Sequence, residues 1–207
     1  MERTFPMFDM LRVLLDSLAV SFDLPILDWI AANLWCPVLD TLMPIITMFG
    51  DGGIFWIVIS VLLILTKKHR RTGLGMGFAL AIGLLICNII LKPGVARMRP
   101  YDFQMQYFAK EIALIAGGMH DFSFPSGHTI ACFEACTALM LGNKKFGIPA
   151  TVLAILVAFS RLYLYLHYPT DVIASVVLGT LFGIIGYWLA GKCNLKIPYI
   201  DKKFHGE

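Results

Sequence analysis

Three short segments carry side chains able to do chemistry. Lys92 and Arg99 lie in NIILKPGVARMRPYD, Pro125 to His128 read PSGH, and Ser160, Arg161, His167 and Asp171 lie in SRLYLYLHYPTDV. Three cations and the free N–H groups of a helix start match a tetrahedral dianion, which points to phosphate. Two histidines allow a division of labour in which one attacks phosphorus and the other protonates the departing oxygen. Pro125-Ser126-Gly127 reads as a helix start with Ser126 at the N-cap. Backbone donors and the helix dipole then form an anion site, and Gly127 permits close approach. Asp171 follows His167 by four residues at the start of the next apolar run, where it can orient one imidazole nitrogen. Taken singly, each feature also has a plain structural reading: snorkelling cations, a capping serine, a helix-start carboxylate. Their combination is what points to a reaction.

The elements that must position these groups are membrane helices. The chain has 207 residues, 58% hydrophobic and only 15% charged, with a mean hydropathy of +0.75. A soluble domain is about a quarter charged. Residues 43–66, 74–91, 128–142, 147–166 and 170–190 form apolar runs close to the roughly 20 residues a bilayer demands. The first is interrupted by Gly50-Asp51-Gly52-Gly53 and reads as one span with a loosened outer end. Between His167 and Arg161, six residues is not a same-face spacing, so the two converge only if the helix ends before Pro169. The fold class expected is all-α, a polytopic membrane bundle with five clear transmembrane helices. The N-terminal segment is either a sixth span or an interfacial helix, since Asp9, Arg12, Asp16 and Asp23 fall at near-helical spacing on one face, opposite Leu11, Leu14, Leu15 and Leu18. The chain divides into this segment (1–40), a membrane-embedded core (41–191) and a basic tail (192–207).

Ten of the seventeen Lys and Arg residues fall in 67–71, 143–145 and the tail after Gly191. These loops face the cytoplasm by the positive-inside rule, so the candidate site faces the opposite side. Basic loops account for the net charge of +3, and no nucleic-acid partner is expected. No secretory signal with a basic start is evident. Cys36, Cys87, Cys132, Cys136 and Cys193 show no metal or disulfide spacing.

The three segments resemble the ordered signatures of the type 2 phosphatidic acid phosphatase superfamily, which also includes glucose-6-phosphatase and the vanadium haloperoxidases. The resemblance spans roughly residues 40–190. It implies His167 as nucleophile through a phosphohistidine, Asp171 as its orienting carboxylate, and His128 as general acid and then base. Lys92, Arg99, Arg161, Ser126 and the Gly127 amide would hold the phosphoryl oxygens, with Pro125 and Ser160 in support. No metal or cofactor is required, because side-chain cations supply the neutralisation that Mg²⁺ gives other phosphoryl transfers. Asn88, one turn before Lys92, is expected to hydrogen-bond across helices beside the site. Glu134, about 9 Å down the helix from His128 at ~1.5 Å per residue, is expected to be structural.

An outward-facing site between helices suits a lipid phosphate as partner, and residues 101–122, rich in aromatics and Met, offer acyl or prenyl contact. Short bacterial-type members often act on undecaprenyl pyrophosphate, the leading expectation, and others on phosphatidylglycerophosphate or phosphatidic acid. The implied location is a bacterial plasma membrane. A lipid phosphotransferase, a haloperoxidase and a non-enzymatic scaffold are the competing readings.

Overall fold

The computed structural model describes residues 6–193, whose regular elements are all helices, with no strand among them. The basic tail from residue 194 lies outside the described residues.

The chain begins as α1 (Pro6–Leu18), passes through a π turn (Ala19–Asp23) and continues as α2 (Leu24–Leu34). A turn leads into α3 (Pro37–Thr47), opened by Pro37, whose missing N–H costs a helix nothing in its first turn. The Gly50–Gly53 interruption is a true break. Asp51 leaves helical geometry, and Gly52 and Gly53 take φ of 55° and 67°, left-handed values that glycine adopts without strain. The break divides the expected span, which remains one stretch long enough to cross a membrane, into two helices, α3 and α4 (Ile54–Leu65), the latter apolar but for Ser60.

After a turn at residues 67–69 come α5 (Arg70–Gly83), which opens on the last two basic residues of the 67–71 segment, a π-helical stretch (Leu84–Leu91) and the short α6 (Lys92–Val95). Ala96, left-handed at φ 49°, ends α6 and turns the chain toward Arg97 and Arg99 before α7 (Pro100–Phe108). Lys92 and Arg99 thus sit on either side of a bent helix end. A long loop leads to α8 (Gly127–Gly142), α9 (Lys144–Tyr163) and α10 (Pro169–Ala190).

Among the described residues, four stretches are long and apolar enough to cross a membrane: Pro37–Leu65, Arg70–Phe108, Lys144–Tyr163 and Pro169–Ala190. The fifth expected span, α8, has only 16 residues. It is the central helix, enclosed by α5, α9 and α10. Its Ala131, Cys132, Ala135, Cys136 and Ala138 are buried, so it meets protein rather than lipid. Small residues also draw α5 and α10 together. A Cβ on Gly75 would lie 2.9 Å from Tyr187 Cα, and one on Gly186 would lie 2.9 Å from Ala79 Cβ. With lipid tails as apolar as leucine, such close backbone approach is what holds membrane helices together.

The N-terminal helices lie along one end of the bundle. Leu15 meets Arg97, Asp28 meets Tyr165 and Lys110, and Trp35 donates to the Tyr163 carbonyl. Every one of these partners sits at the chain ends and loops that bracket the candidate site. Met10, Val13 and Leu14 face outward and Asp23 is fully buried. The termini beside the basic loops 67–71 and 143–145 collect at the other end.

Candidate active site

The π stretch and α6 deliver Lys92, the turn after Ala96 delivers Arg97 and Arg99, and the N-terminus of α8 delivers His128. The last turn of α9 supplies Arg161. The helix ends at Tyr163, well before Pro169, as the convergence of Arg161 and His167 demanded. Leu166 and His167 both return their amides to the Arg161 carbonyl, and Tyr165 adopts φ 59° in the reversal. Pro169 then opens α10 with Asp171 in its first turn.

His167 is buried and presents Nε2 at 3.2 Å from Arg99 Nη1. Burial, reinforced by the charges of Arg99, Arg161 and Lys92, holds its imidazole well below the ordinary histidine value, so it is a neutral, electron-pair-bearing ring. Nδ1 stands 3.5 Å from Asp171 Oδ2 and has no hydrogen-bond partner. Asp171 is thus adjacent, as the sequence suggests, but its oxygens are engaged elsewhere. Oδ2 accepts from Ser123 Oγ at 2.5 Å and from the Tyr168 amide at 3.1 Å, and Oδ1 accepts from Arg97 at 2.5 Å.

Arg97 is the residue that sequence reasoning missed. It is fully buried, donates to Asp171, to Thr170, to Asp23 at 2.8 Å and to the Leu15 carbonyl, and stacks 3.7 Å over the Tyr168 ring. Asp23 also accepts from the Thr170 amide and hydroxyl. The available signal was the acidic face of residues 9–23, whose charges call for a cation when they turn inward.

Lys92 and Arg99 share one partner, Asp121. Its carboxylate pairs with Lys92 and lies 2.5 Å from Arg99 Nη2, while its carbonyl accepts from Arg99 Nε at 2.9 Å. Burial pulls the Asp121 carboxyl upward, but the hydrogen bond from Lys92 and the charges of Arg99 and Lys92 outweigh it, leaving it at about 2. This loop carboxylate occupies the cations that the sequence assigns to phosphoryl oxygens. Arg161 instead bonds Thr47 Oγ1 at 2.7 Å and Met119 Sδ at 3.0 Å, with its Nε unpartnered.

At the α8 start, Ser126 occupies the N-cap position without a side-chain cap bond. Its amide donates to Ser175 Oγ, and its own hydroxyl accepts from Thr129. Pro125 is buried beside it and preceded by a cis peptide bond. His128 Nε2 lies 2.6 Å from Asp51 Oδ1. Two supporting assignments come out differently from expectation. Ser160 donates to the Val157 carbonyl in its own helix. Asn88 makes no side-chain hydrogen bond among the described residues; it faces Gly127, where an added Cβ would lie 3.3 Å from Asn88 Oδ1. The π geometry here widens the turn beyond the 3.6 residues on which the expected Asn88–Lys92 alignment rested.

Of these groups, Asn88, Lys92, Asp121, Gly127, His128 and His167 line one cavity of about 580 Å³, and Arg97 and Arg99 line a neighbouring one that shares Asp121. The far wall of the first cavity is apolar, made by Ile57, Val61, Leu80 and Leu84 of α4, α5 and the π stretch. Glu134 also lines it, buried, with Oε1 lacking a partner.

An all-helical bundle with two histidines and three cations at one end defines a membrane-embedded phosphatase of lipid phosphates. The chain belongs to the PAP2 superfamily, which it matches over residues 72–195. It is 27% identical over 164 residues to undecaprenyl-diphosphatase BcrC of Bacillus subtilis, covering 79% of this chain and 80% of that protein. It is 29% identical over 143 residues to an undecaprenyl-diphosphatase of Sulfolobus acidocaldarius, covering 69% of this chain and 66% of the relative, just under two thirds of its length. The structure resembles a PAP2-type phosphatidylglycerolphosphate phosphatase of B. subtilis with a TM-score of 0.70 and 26% identity, over 93% of this chain and 97% of that one.

Proposed function

We propose that the protein removes a phosphoryl group from a polyprenyl pyrophosphate, undecaprenyl pyrophosphate in the first instance, at the extracytoplasmic face of a bacterial plasma membrane. The carrying observation is the single cavity that joins His128, His167 and Lys92 to an apolar wall. A phosphorylated head can reach the cations there while a hydrocarbon chain stays among helices. BcrC supports the pyrophosphate reading, and the distribution of basic loops supports the orientation. A second reading, a glycerophospholipid phosphate as substrate, is favoured by the near-complete overlap with the phosphatidylglycerolphosphate phosphatase.

In the reaction proposed, Nε2 of neutral His167 attacks phosphorus as the bond to the leaving oxygen breaks, and His128 gives that oxygen its proton. Water then attacks the phosphohistidine, His128 takes a proton from it, and the N–P bond breaks to release phosphate. Lys92, Arg99 and Arg161 neutralise the oxygens in both steps, in place of a metal ion. Asp121 must leave Lys92 and Arg99 for this to occur.

The test is phosphate release by detergent-purified protein with EDTA present, comparing undecaprenyl pyrophosphate, phosphatidylglycerophosphate and phosphatidic acid, for wild type and His167→Ala. Release that survives EDTA and disappears in the variant supports the histidine chemistry, and the order of the lipids ranks the two readings. Equal release by His167→Ala overturns the nucleophile, and a product that depends on a lipid acceptor would replace hydrolysis by phosphotransfer.

A further inference from the structure

We infer that Asp51 is a positioning residue for His128, and that the Gly-Asp-Gly-Gly break between α3 and α4 exists to hold it there. The inference rests on the proposed role of His128 as the proton donor to the leaving group. Asp51 Oδ1 lies 2.6 Å from His128 Nε2, the one side-chain hydrogen bond of that imidazole among the described residues. The carboxylate accepts, so Nε2 carries the proton and Nδ1 is the nitrogen left to exchange protons with substrate and water.

Backbone geometry brings the pair together. A Cβ on Gly50 would lie 2.9 Å from both Cβ and Cδ2 of His128, so only glycine lets this backbone touch the imidazole. Gly52 and Gly53 take left-handed φ values, and Asp51, between Gly50 and Gly52, departs from helical geometry at ψ 115°. The only residue of the four with a side chain thus leaves the helix line and turns toward His128. The other titratable groups acting on this imidazole are Arg161, Lys92 and His167, and Asp51 is the carboxylate that bonds it, at Nε2.

The proton balance gives Asp51 a part in both half-reactions. As the P–O bond breaks, the proton on Nδ1 passes to the leaving oxygen, and Nε2 keeps its own proton against Asp51. The imidazole that remains has its Nδ1 lone pair facing the cavity, ready to take a proton from the attacking water. Without Asp51 the ring can rotate or shift tautomer, and Nδ1 need not be the nitrogen presented. His167 likewise has a carboxylate beside it, Asp171, at 3.5 Å from Nδ1.

Leaving-group dependence tests this, because a phosphate ester of a phenol departs without a proton and an alkyl ester does not. Detergent-purified wild type, Asp51→Ala, Asp51→Glu and His128→Ala are compared on an alkyl lipid phosphate and on p-nitrophenyl phosphate. The expected result for Asp51→Ala is a fall in kcat/KM, which reads only the steps up to departure of the leaving group, of about 10- to 100-fold on the alkyl substrate and less than about threefold on the aryl one, an order of magnitude below the full general-acid effect. Asp51→Glu, which keeps an acceptor, recovers part of the alkyl rate. Equal losses on both substrates mean that Asp51 only supports the fold, and no loss means that it does nothing to His128; either overturns the inference. If His128→Ala itself shows no selectivity for the alkyl substrate, the general-acid assignment fails first and takes the inference with it. Asp51 is exposed over 57% of its side chain, so its replacement leaves the core packing intact.

Discussion

Replacing Asp121 by Asn should tighten the binding of inorganic phosphate and vanadate. In the structure the Asp121 carboxylate bridges Lys92 and Arg99, the two cations of the first signature. Any phosphoryl group must displace it. At about 2, the Asp121 carboxyl is ionised at every pH at which the protein would be assayed, so the competition does not titrate away. Its side chain is 47% exposed, and water screens both pairs. At about 0.2–1 kcal/mol for each exposed pair, two pairs oppose an incoming anion by about 1 kcal/mol, roughly fivefold in Kd. The amide keeps the shape and loses the charge. The assay is competitive inhibition of lipid phosphate hydrolysis by vanadate, with Ki expected to fall roughly fivefold in Asp121→Asn. A Ki that rises would show that Asp121 braces Lys92 and Arg99 for the anion rather than competing with it, and would refute the reasoning.

Three further outcomes follow from the geometry. Arg97→Met leaves Asp23 and Asp171 buried without their cation and should destabilise the protein by about 3–5 kcal/mol, read as a large fall in Tm in detergent; Arg97→Lys should recover part of it. Gly75→Leu forces side-chain atoms into the backbone of α10 at Tyr187 and should cost about 1–3 kcal/mol or more, measured the same way. The depressed value of His167 has a definite sign: below the ordinary histidine value the unfolded chain takes up a proton that the folded site excludes. Stability is therefore complete above about pH 6.5 and lost as pH falls through that range, by at most about 1.4 kcal/mol per pH unit. His167→Gln should flatten that part of a Tm–pH curve; an unchanged slope would place the proton uptake elsewhere.

The sequence makes the helical runs and the three signature segments legible because both depend on local order: apolar length for the runs, residue type and spacing for the signatures. The end of α9 before Pro169 is legible for the same reason, since proline restricts its predecessor. What escapes is pairing at long range. Arg97 and Asp23 are separated by 74 residues and bond across elements, and periodicity around either shows only an amphipathic helix and a snorkelling cation. Asp121 hides in a loop with no period at all. The Gly50–Gly53 segment reads as a weakness in a span, because its purpose lies in a histidine 77 residues further on. The length of α8 misleads in the other direction: enclosed by protein, it need not meet the bilayer's thickness.

The cavity wall formed by Ile57, Val61 and Leu84 is built of residues that are themselves 48%, 49% and 56% exposed, which in a membrane means facing acyl chains. A substrate arriving by that route is never dissolved in water, and molarity is the wrong measure of how much the protein encounters. The governing quantity is the fraction of the surrounding sheet or micelle that substrate occupies. Adding detergent at constant lipid should then slow the reaction by dilution in two dimensions, and rates should coincide when plotted against mole fraction.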